Sequence, residues 1–116
     1  MIYTKFHAVD SLKPKKSWTW EGTDFSGFTY EGEDTAPTES EINAEVTRLN
    51  DAESMRLLRV ERDKLLAACD WRASSDLTLS TAWKTYRQSL RDLPASSTPT
   101  LDSDGNLDMS SVTFPT

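Results

Sequence analysis

The residues that could support catalysis are few and lie far apart in the sequence. His7 is the only histidine and Cys69 the only cysteine, so a cysteine–histidine pair would have to join distant parts of the chain. Asp70 follows Cys69 directly, and a neighbouring carboxylate disfavours the reactive thiolate. A lone cysteine also excludes an internal disulfide and is typical of proteins made in a reducing cytosol. We therefore expect a protein that is not an enzyme.

Metal and phosphate binding are also disfavoured. The segment DSDGN (residues 102–106) has the composition of a calcium loop, but its glycine stands fourth. An EF-hand loop requires glycine at the sixth position and glutamate at the twelfth. The four glycines of the chain form no loop that could hold a phosphate. The sequence predicts a tight turn at Asp104-Gly105, no metal and no cofactor.

Aromatic and basic residues are concentrated in one polar stretch, CDWRASSDLTLSTAWKTYRQSLRDLP (residues 69–94). It could form a catalytic cluster, a nucleic-acid surface, or the core of a small helical domain that binds another protein. The net charge is −6, from 13 Lys and Arg against 19 Asp and Glu. That sign disfavours nucleic acid and membrane surfaces as partners, because both are bound through basic residues. The sequence contains no run of about 18 apolar residues, so no membrane span is predicted. The third alternative is favoured.

Two arginines of this stretch, Arg87 and Arg91, stand one helical turn apart. Glu61 and Asp63 on a preceding helix could lie opposite them and form ion pairs within the chain. The other alternative is a partner surface, since Arg, Trp and Tyr are enriched among the residues that dominate binding energy. Both alternatives stay open from the residues alone.

The first 36 residues are predicted to be extended. SWTWEG (residues 17–22) and FSGFTYEGE (residues 25–33) alternate aromatic with small or polar residues, which is typical of half-buried strands. Turn residues lie between them, so we expect a β-hairpin with Trp18 and Trp20 on one face of its first strand. The N-terminal MIYTKFHAV is predicted to add another strand.

A long helix is predicted to follow. Thr38 is expected as its N-cap, with Glu41 completing a capping box, and no Gly or Pro interrupts residues 39–68. The apolar residues form two stripes on roughly opposite faces: Ile42, Val46, Leu49, Leu57 and Val60, and then Leu58, Leu65 and Cys69 with Met55 and Leu66. We interpret this as one helix with two neighbours, the strands along its first half and a second helix along its second half.

The second helix is predicted to run from about Leu79 to Asp92 and to end at Pro94. Its apolar residues have coiled-coil-like spacing. The two helices would form an antiparallel helical hairpin, with Trp71 folded back onto their shared core.

The tail is rich in Ser, Thr, Pro and Asp and is predicted to be extended and ordered by a partner. The predicted organisation is a β segment over residues 1–36, a helical hairpin over residues 37–94 and this tail over residues 95–116. The sequence therefore predicts an α+β fold.

The sequences ERDKLLAACDW and AWKTYRQSLRDLP resemble the phage tail assembly chaperone family, also described as tail-fibre assembly proteins. The matching positions follow its pattern of Arg-x-x-Leu-Leu, Asp-Trp and Trp-x-x-Tyr-Arg-x-x-Leu-Arg-Asp-x-Pro: Arg62, Leu65, Leu66, Asp70, Trp71, Trp83, Tyr86, Arg87, Leu90, Arg91, Asp92 and Pro94. The likeness extends to SWTWEG, APTESEI and the closing VTFPT. The loop RASSDLTLST departs from the family, because it lacks the proline and the charged cluster expected there.

The resemblance implies a protein without catalysis that assists the folding, trimerisation or attachment of a tail fibre. The alternative is a structural component that stays bound to the fibre or baseplate. The implied partner is the fibre or another tail protein, and a homo-oligomer that matches fibre symmetry is expected. The implied location is the host cytoplasm during assembly, and the virion tail if the chain stays bound.

The residues expected to carry this role fall into two sets. The motif core is Leu65, Leu66, Trp71, Trp83, Tyr86 and Leu90. The candidate partner-binding residues are Trp18, Trp20, Arg72, Arg87, Arg91 and Phe114. Loss of either core tryptophan is expected to cost about 3–5 kcal/mol of stability.

Overall fold

The computed structural model describes residues 1–73 and 78–116 and confirms the α+β class. Its regular elements, in chain order, are α1 (Lys5–Leu12), β1 (Trp18–Trp20), β2 (Phe28–Tyr30), α2 (Glu39–Cys69) and α3 (Thr81–Ser96). The chain divides into two compact units, an N-terminal unit, Ile2–Asn50, and a C-terminal unit, Asp51–Thr116 with Met1. In the part of the chain that is described, no helix is both long and apolar enough to cross a bilayer.

The N-terminal segment is helical, so the strand predicted for it is wrong. The backbone N–H of Thr4 donates to Nδ1 of His7 at 3.0 Å, which satisfies one of the free N–H groups at the start of α1. The helix places Ala8 and Val9 in the interior, where both are 0% exposed. Burial of this face decides the structure of a segment too short to form a stable helix alone.

The predicted hairpin is confirmed. β1 and β2 pair antiparallel, with Trp18 opposite Tyr30 and Trp20 opposite Phe28, so that the aromatic residues share one face. The indole Nε1 of Trp18 donates to Asp10, and that of Trp20 donates to a backbone carbonyl. The core of this unit consists of Ala8, Val9 and Ile42, with Leu12, Trp18, Trp20, Phe25, Phe28, Val46 and Leu49 packed around it.

A polar cluster follows the hairpin and makes one tyrosine hard to ionise. The phenol of Tyr30 donates to Asp34 Oδ1 at 2.5 Å, and Lys13 Nζ lies 2.8 Å from Asp34 Oδ2. Partial burial, and then the hydrogen bond to this carboxylate, raises the pKa of Tyr30 to about 12. The same partners, Lys13 first, hold the pKa of Asp34 well below its usual range.

Asp34→Asn is expected to lower the pKa of Tyr30 toward the ordinary value for tyrosine, because the phenolate would no longer face a carboxylate. The measurement is the ultraviolet absorbance of tyrosinate as the pH is raised. In the native chain Tyr30, one of three tyrosines, is expected to ionise in a late phase near pH 12, and in the variant this late phase should move to lower pH. Glu33→Gln removes a neighbouring exposed carboxylate and serves as the control. A late phase that persists in Asp34→Asn would contradict the assignment.

The start of α2 is the predicted capping box. Thr38 Oγ1 accepts from the backbone N–H of Glu41 at 3.1 Å, and Glu41 Oε1 accepts from the backbone N–H of Thr38 at 3.4 Å. The helix then continues unbroken to Cys69. Its apolar residues contribute to two separate cores, as predicted: Ile42, Val46 and Leu49 to the first, and Met55 and Leu58 to the second. Two residues assigned to the first stripe lie elsewhere, because Leu57 packs against the second core and Val60 is exposed.

The tail packs on its own chain. Leu58 of α2 and Leu93 of α3 form the second core with Leu107 and Val112, and Phe114 packs against them. The hydroxyl of buried Ser54 donates to the carbonyl of Pro99 at 2.8 Å. The tail therefore makes contacts with α2 and α3 of its own chain.

The tight turn predicted in the tail is present. Asp102 Oδ1 accepts from the backbone N–H groups of Asp104 and Asn106, at 2.9 and 3.0 Å. Leu101 and Leu107 form a bridge across it. The acidic side chain therefore satisfies the backbone of the turn, as Asp commonly does.

The second helix has different ends from those predicted. Its N-cap is Ser80, whose hydroxyl accepts from the backbone N–H of Trp83 at 3.2 Å, and the helix continues through Pro94 to Ser96. Proline has a φ suited to a helix, and near the end it removes only the hydrogen bond that its own N–H would make. The burial of Leu93 beside it keeps this last turn on the core.

Candidate functional site

Arg87 of α3 lies at the centre of a group of polar contacts in the C-terminal unit. Its Nη1 donates to the carbonyl of Leu66 at 3.2 Å and lies 3.0 Å from the sulfur of Cys69, and its Nη2 is 2.9 Å from Asp70 Oδ1. The last carbonyls of an α-helix have no partner within the helix. A cation at this end also interacts favourably with the negative end of the helix dipole. Arg87 therefore joins α3 to the end of α2.

The role of Arg87 is structural, since its side chain is only 13% exposed. The Asp70 carboxylate, followed by the Cys69 sulfur, raises the pKa of the Arg87 guanidinium. Leu58 packs with Leu93, while Arg87 contacts the residues that end α2. Contacts nearer the end of α2 are therefore made by residues nearer the start of α3, as in an antiparallel pair of helices.

The acidic partners suggested for the arginines are wrong. Glu61 pairs with Lys64 on its own helix and Asp63 with Arg62. Exposed Arg91 donates to the side-chain oxygen of Gln88, one turn earlier on α3. The actual partner of Arg87 comes from the 3-10 turn Asp70–Ala73, whose position depends on where α2 ends.

A second arginine, Arg72, lies between two indole rings. Its guanidinium carbon is 4.3 Å from the centre of the Trp71 ring and 4.1 Å from the centre of the Trp83 ring. These are cation–π distances, and the planar guanidinium is well suited to stacking on aromatic faces. Trp83 also meets Tyr86 edge to face, with ring centres 5.4 Å apart. The result is a row of four stacked or edge-on groups, which we call the aromatic–arginine row.

Trp71 does not cap the helical core, contrary to the prediction. Its side chain is 58% exposed, because the 3-10 turn after α2 directs it onto Arg72 instead of onto the core. Leu90 is fully buried, and the remaining predicted core residues are half-buried: Leu65, Leu66, Trp83 and Tyr86. The motif therefore contributes both to the interior and to an exposed aromatic surface.

Two surface pockets flank the Trp83 ring. One, of about 340 Å³, is lined by Trp71, Arg72, Thr78, Leu79, Ser80 and Trp83. The other, of about 330 Å³, is lined by Ala82, Trp83, Tyr86 and Thr116. The first pocket combines two indole rings with the polar groups of Arg72, Thr78 and Ser80, whereas the second is mainly apolar. Both are within the size range of binding sites.

Trp71→Ala is expected to reduce the free energy of unfolding by less than about 1 kcal/mol, because an exposed cation–π contact contributes little. This replaces the larger loss predicted from sequence. Trp83→Ala is expected to cost more, since its half-buried ring contacts both Arg72 and Tyr86. Thermal unfolding followed by circular dichroism measures both variants. Equal losses of unfolding free energy in the two variants would contradict the difference in burial between Trp71 and Trp83.

The other predicted partner-binding residues are engaged in packing. Trp18 and Trp20 surround the core of the N-terminal unit, and Phe114 packs on the core of the C-terminal unit. Arg87 is held by α2, as described above. Of the predicted set, Arg72 and Arg91 therefore remain the arginines whose positions favour contact with another molecule.

The polar groups considered for catalysis have structural roles. His7 belongs to the start of α1, and the buried Cys69 thiol contacts Arg87 and the carbonyl of Leu66. In residues 1–73 and 78–116, no three His, Cys, Asp or Glu side chains are grouped as metal ligands would be. The chemistry that the C-terminal unit offers is binding by aromatic faces and a guanidinium.

Sequence reasoning missed the residues just before α3. Thr78, Leu79 and Ser80 line the pocket beside Arg72, whereas the sequence interpretation placed Leu79 inside the helix. The available signal was the preference for serine at an N-cap, which puts the start of α3 after Ser80. Leu79 is then in the connection, where its side chain can line the pocket.

The comparison with protein families identifies the C-terminal part of the chain. The family model of the phage tail assembly chaperone protein matches residues 55–115, which is 61 of the 116 residues of the chain. No curated protein and no solved structure matches the chain.

Proposed function

Because the chain belongs to the phage tail assembly chaperone family, we propose that it binds the tail fibre during phage assembly and assists its folding, trimerisation or attachment. The role requires no catalysis. The matched residues take in the second half of α2, all of α3 and nearly the whole tail. The family match is the observation that carries this proposal.

The surface of the C-terminal unit supports a binding role. The aromatic–arginine row ends in Trp71, which is among the large apolar side chains that remain exposed. Tryptophan and arginine dominate the binding energy of many protein interfaces. A side chain of this size in water contributes little to the fold, and a partner that covered it would gain apolar contact area.

The alternative is a structural virion component that stays bound to the fibre or baseplate. The family match agrees with both roles, since each requires recognition of a tail protein. The two differ in whether the chain leaves the particle after assembly, and this can be measured directly.

The first experiment is quantitative mass spectrometry of purified, salt-washed virions of the phage that encodes the chain. A transient chaperone is abundant in infected cells and absent from virions, whereas a structural component occurs at a fixed ratio to a known tail protein. In parallel, the full chain is co-expressed with each tail protein of the phage and recovered by affinity purification. If no tail protein binds and deletion of the gene leaves tails intact, the proposed function is wrong.

A further inference from the structure

We propose that Arg72 is the docking point for a carboxylate on the tail-protein partner, carried by an acidic segment whose neighbouring apolar side chain enters the pocket between Trp71 and Trp83. This inference rests on the proposed function, because it takes the partner to be a tail protein. It adds the chemistry by which that partner is recognised.

The first support is the bonding of Arg72. Its guanidinium carbon lies 4.3 Å from the centre of the Trp71 ring and 4.1 Å from the centre of the Trp83 ring. Within the described residues, no hydrogen bond or ion pair engages its N–H groups. A guanidinium has five N–H donors along its edges, in a geometry that matches the two oxygens of a carboxylate. The stacked rings fix the plane of this fork and leave its edges for a ligand.

Arg87 provides the contrast within the same unit. Its N–H groups are directed to Leu66, Cys69 and Asp70, so its charge is already used in joining the helices. Arg72 is stacked but otherwise unpaired among the residues described. Arg87 and Arg72 therefore differ among the described residues: Arg87 joins the helices, and Arg72 is available for a partner.

The second support is the pocket that Arg72 lines. It has a volume of about 340 Å³, and its wall includes the indole rings of Trp71 and Trp83 beside Leu79. Such walls suit an apolar side chain, while the guanidinium at the same site suits an anion. A short peptide with an acidic residue next to an apolar one would satisfy both features together.

The third support is the distribution of charge. Residues 51–116 contain eight basic and ten acidic residues, whereas residues 1–50 contain five basic and nine acidic ones. The larger part of the net charge of −6 therefore lies in the first 50 residues. An acidic segment would meet less net repulsion from the C-terminal part of the chain, and the positive charge of Arg72 would attract it locally.

The test is selection of a displayed library of random heptapeptides on the immobilised full chain, followed by affinity measurements with the selected peptides. The native chain is expected to enrich peptides in which Asp or Glu adjoins a large apolar residue. Arg72→Gln is expected to weaken their binding at least tenfold, and changing the acidic residue of the peptide to its amide is expected to weaken it equally. Raised salt should weaken binding to the native chain.

Arg59→Gln is the matched control, since Arg59 is an exposed arginine of α2 in the same unit. It should bind the peptides as the native chain does, and circular dichroism should show that both variants are folded. The proposal is overturned if no peptide is enriched, if enrichment has no acidic preference, or if Arg72→Gln binds within twofold of the native chain. Self-association that Arg72→Gln abolishes would also overturn it, because the occupant would then be the acidic part of a second copy.

The affinity purification with tail proteins separates this inference from the proposed function. If Arg72→Gln recovers the same tail protein as the native chain, the docking site is wrong and the function stands. If neither chain recovers a tail protein, the function is wrong, whereas the peptide selection still decides whether Arg72 recognises carboxylates.

Discussion

Leu58→Ala is expected to reduce the free energy of unfolding of the C-terminal unit by about 2–5 kcal/mol, because it opens a cavity in a site that cannot readily collapse. Leu58 is 0% exposed and is packed among Leu93 of α3 and Leu107 and Val112 of the tail. A single substitution therefore removes contacts to both α3 and the tail. For a unit of this length, the loss corresponds to a fall in Tm on the order of 10 °C or more.

Val60→Ala is the matched control, since Val60 lies on the same helix and is 39% exposed. Its loss should be within about 0.5 kcal/mol, as for most surface substitutions. Thermal and urea unfolding, followed by circular dichroism, measure both variants. Equal losses of unfolding free energy in the two variants would mean that the tail does not pack on Leu58. The packing of the C-terminal unit would then have to be revised.

The elements that sequence reasoning identified correctly are those specified by local signals. The capping box of Thr38 and Glu41 fixes the start of α2 through hydrogen bonds between residues three apart. The alternation of Trp18 and Trp20 fixes one face of the hairpin. Both signals act within a few residues, so they need no knowledge of the rest of the fold.

The errors concern features that depend on distant residues. The segment that forms α1 contains β-branched and aromatic residues, and it becomes helical because Ala8 and Val9 are buried by the rest of its unit. Pro94 is accepted in α3 because Leu93 beside it is buried in a core that the tail completes. Local propensity is a weak prior in such cases, and tertiary packing overrides it.

In the candidate site, too, local signals identified the residues, whereas their burial depended on the rest of the fold. The sequence singled out Arg72, Arg87 and Trp71, but it assigned Trp71 to the core and Arg87 to a partner surface, whereas Trp71 is exposed and Arg87 is mostly buried. That assignment depends on the turn after Cys69, which places Asp70 beside Arg87 and directs Trp71 outward. A shift of one residue at the end of α2 would rotate these side chains by about 100° around the helix axis. Helix boundaries, which sequence locates least well, therefore decide the surface that is offered to a partner.

Gly27→Ala is expected to destabilise the N-terminal unit by about 3 kcal/mol or more. A Cβ at this position would lie 1.7 Å from the backbone oxygen of Glu21, while the N–H of Glu21 donates to the carbonyl of Gly27 at 2.9 Å. The clash is with backbone, so no side-chain rotation relieves it, and the connection between β1 and β2 would have to move. The hairpin would lose the pairing that places its tryptophans on the core.

Near-ultraviolet circular dichroism and thermal unfolding detect this change, since the packed rings of Trp18 and Trp20 give a signal that the disrupted hairpin would lose. Gly22→Ala is the control that distinguishes a steric clash from the loss of glycine's conformational freedom. Gly22 has φ +76° but no atom within 4 Å of an added Cβ, so only backbone strain of about 1–2 kcal/mol is expected. Ser26→Ala, at an exposed neighbouring position, should be nearly neutral. If Gly27→Ala proved no worse than Gly22→Ala, the close approach of the two backbones in this connection would be wrong.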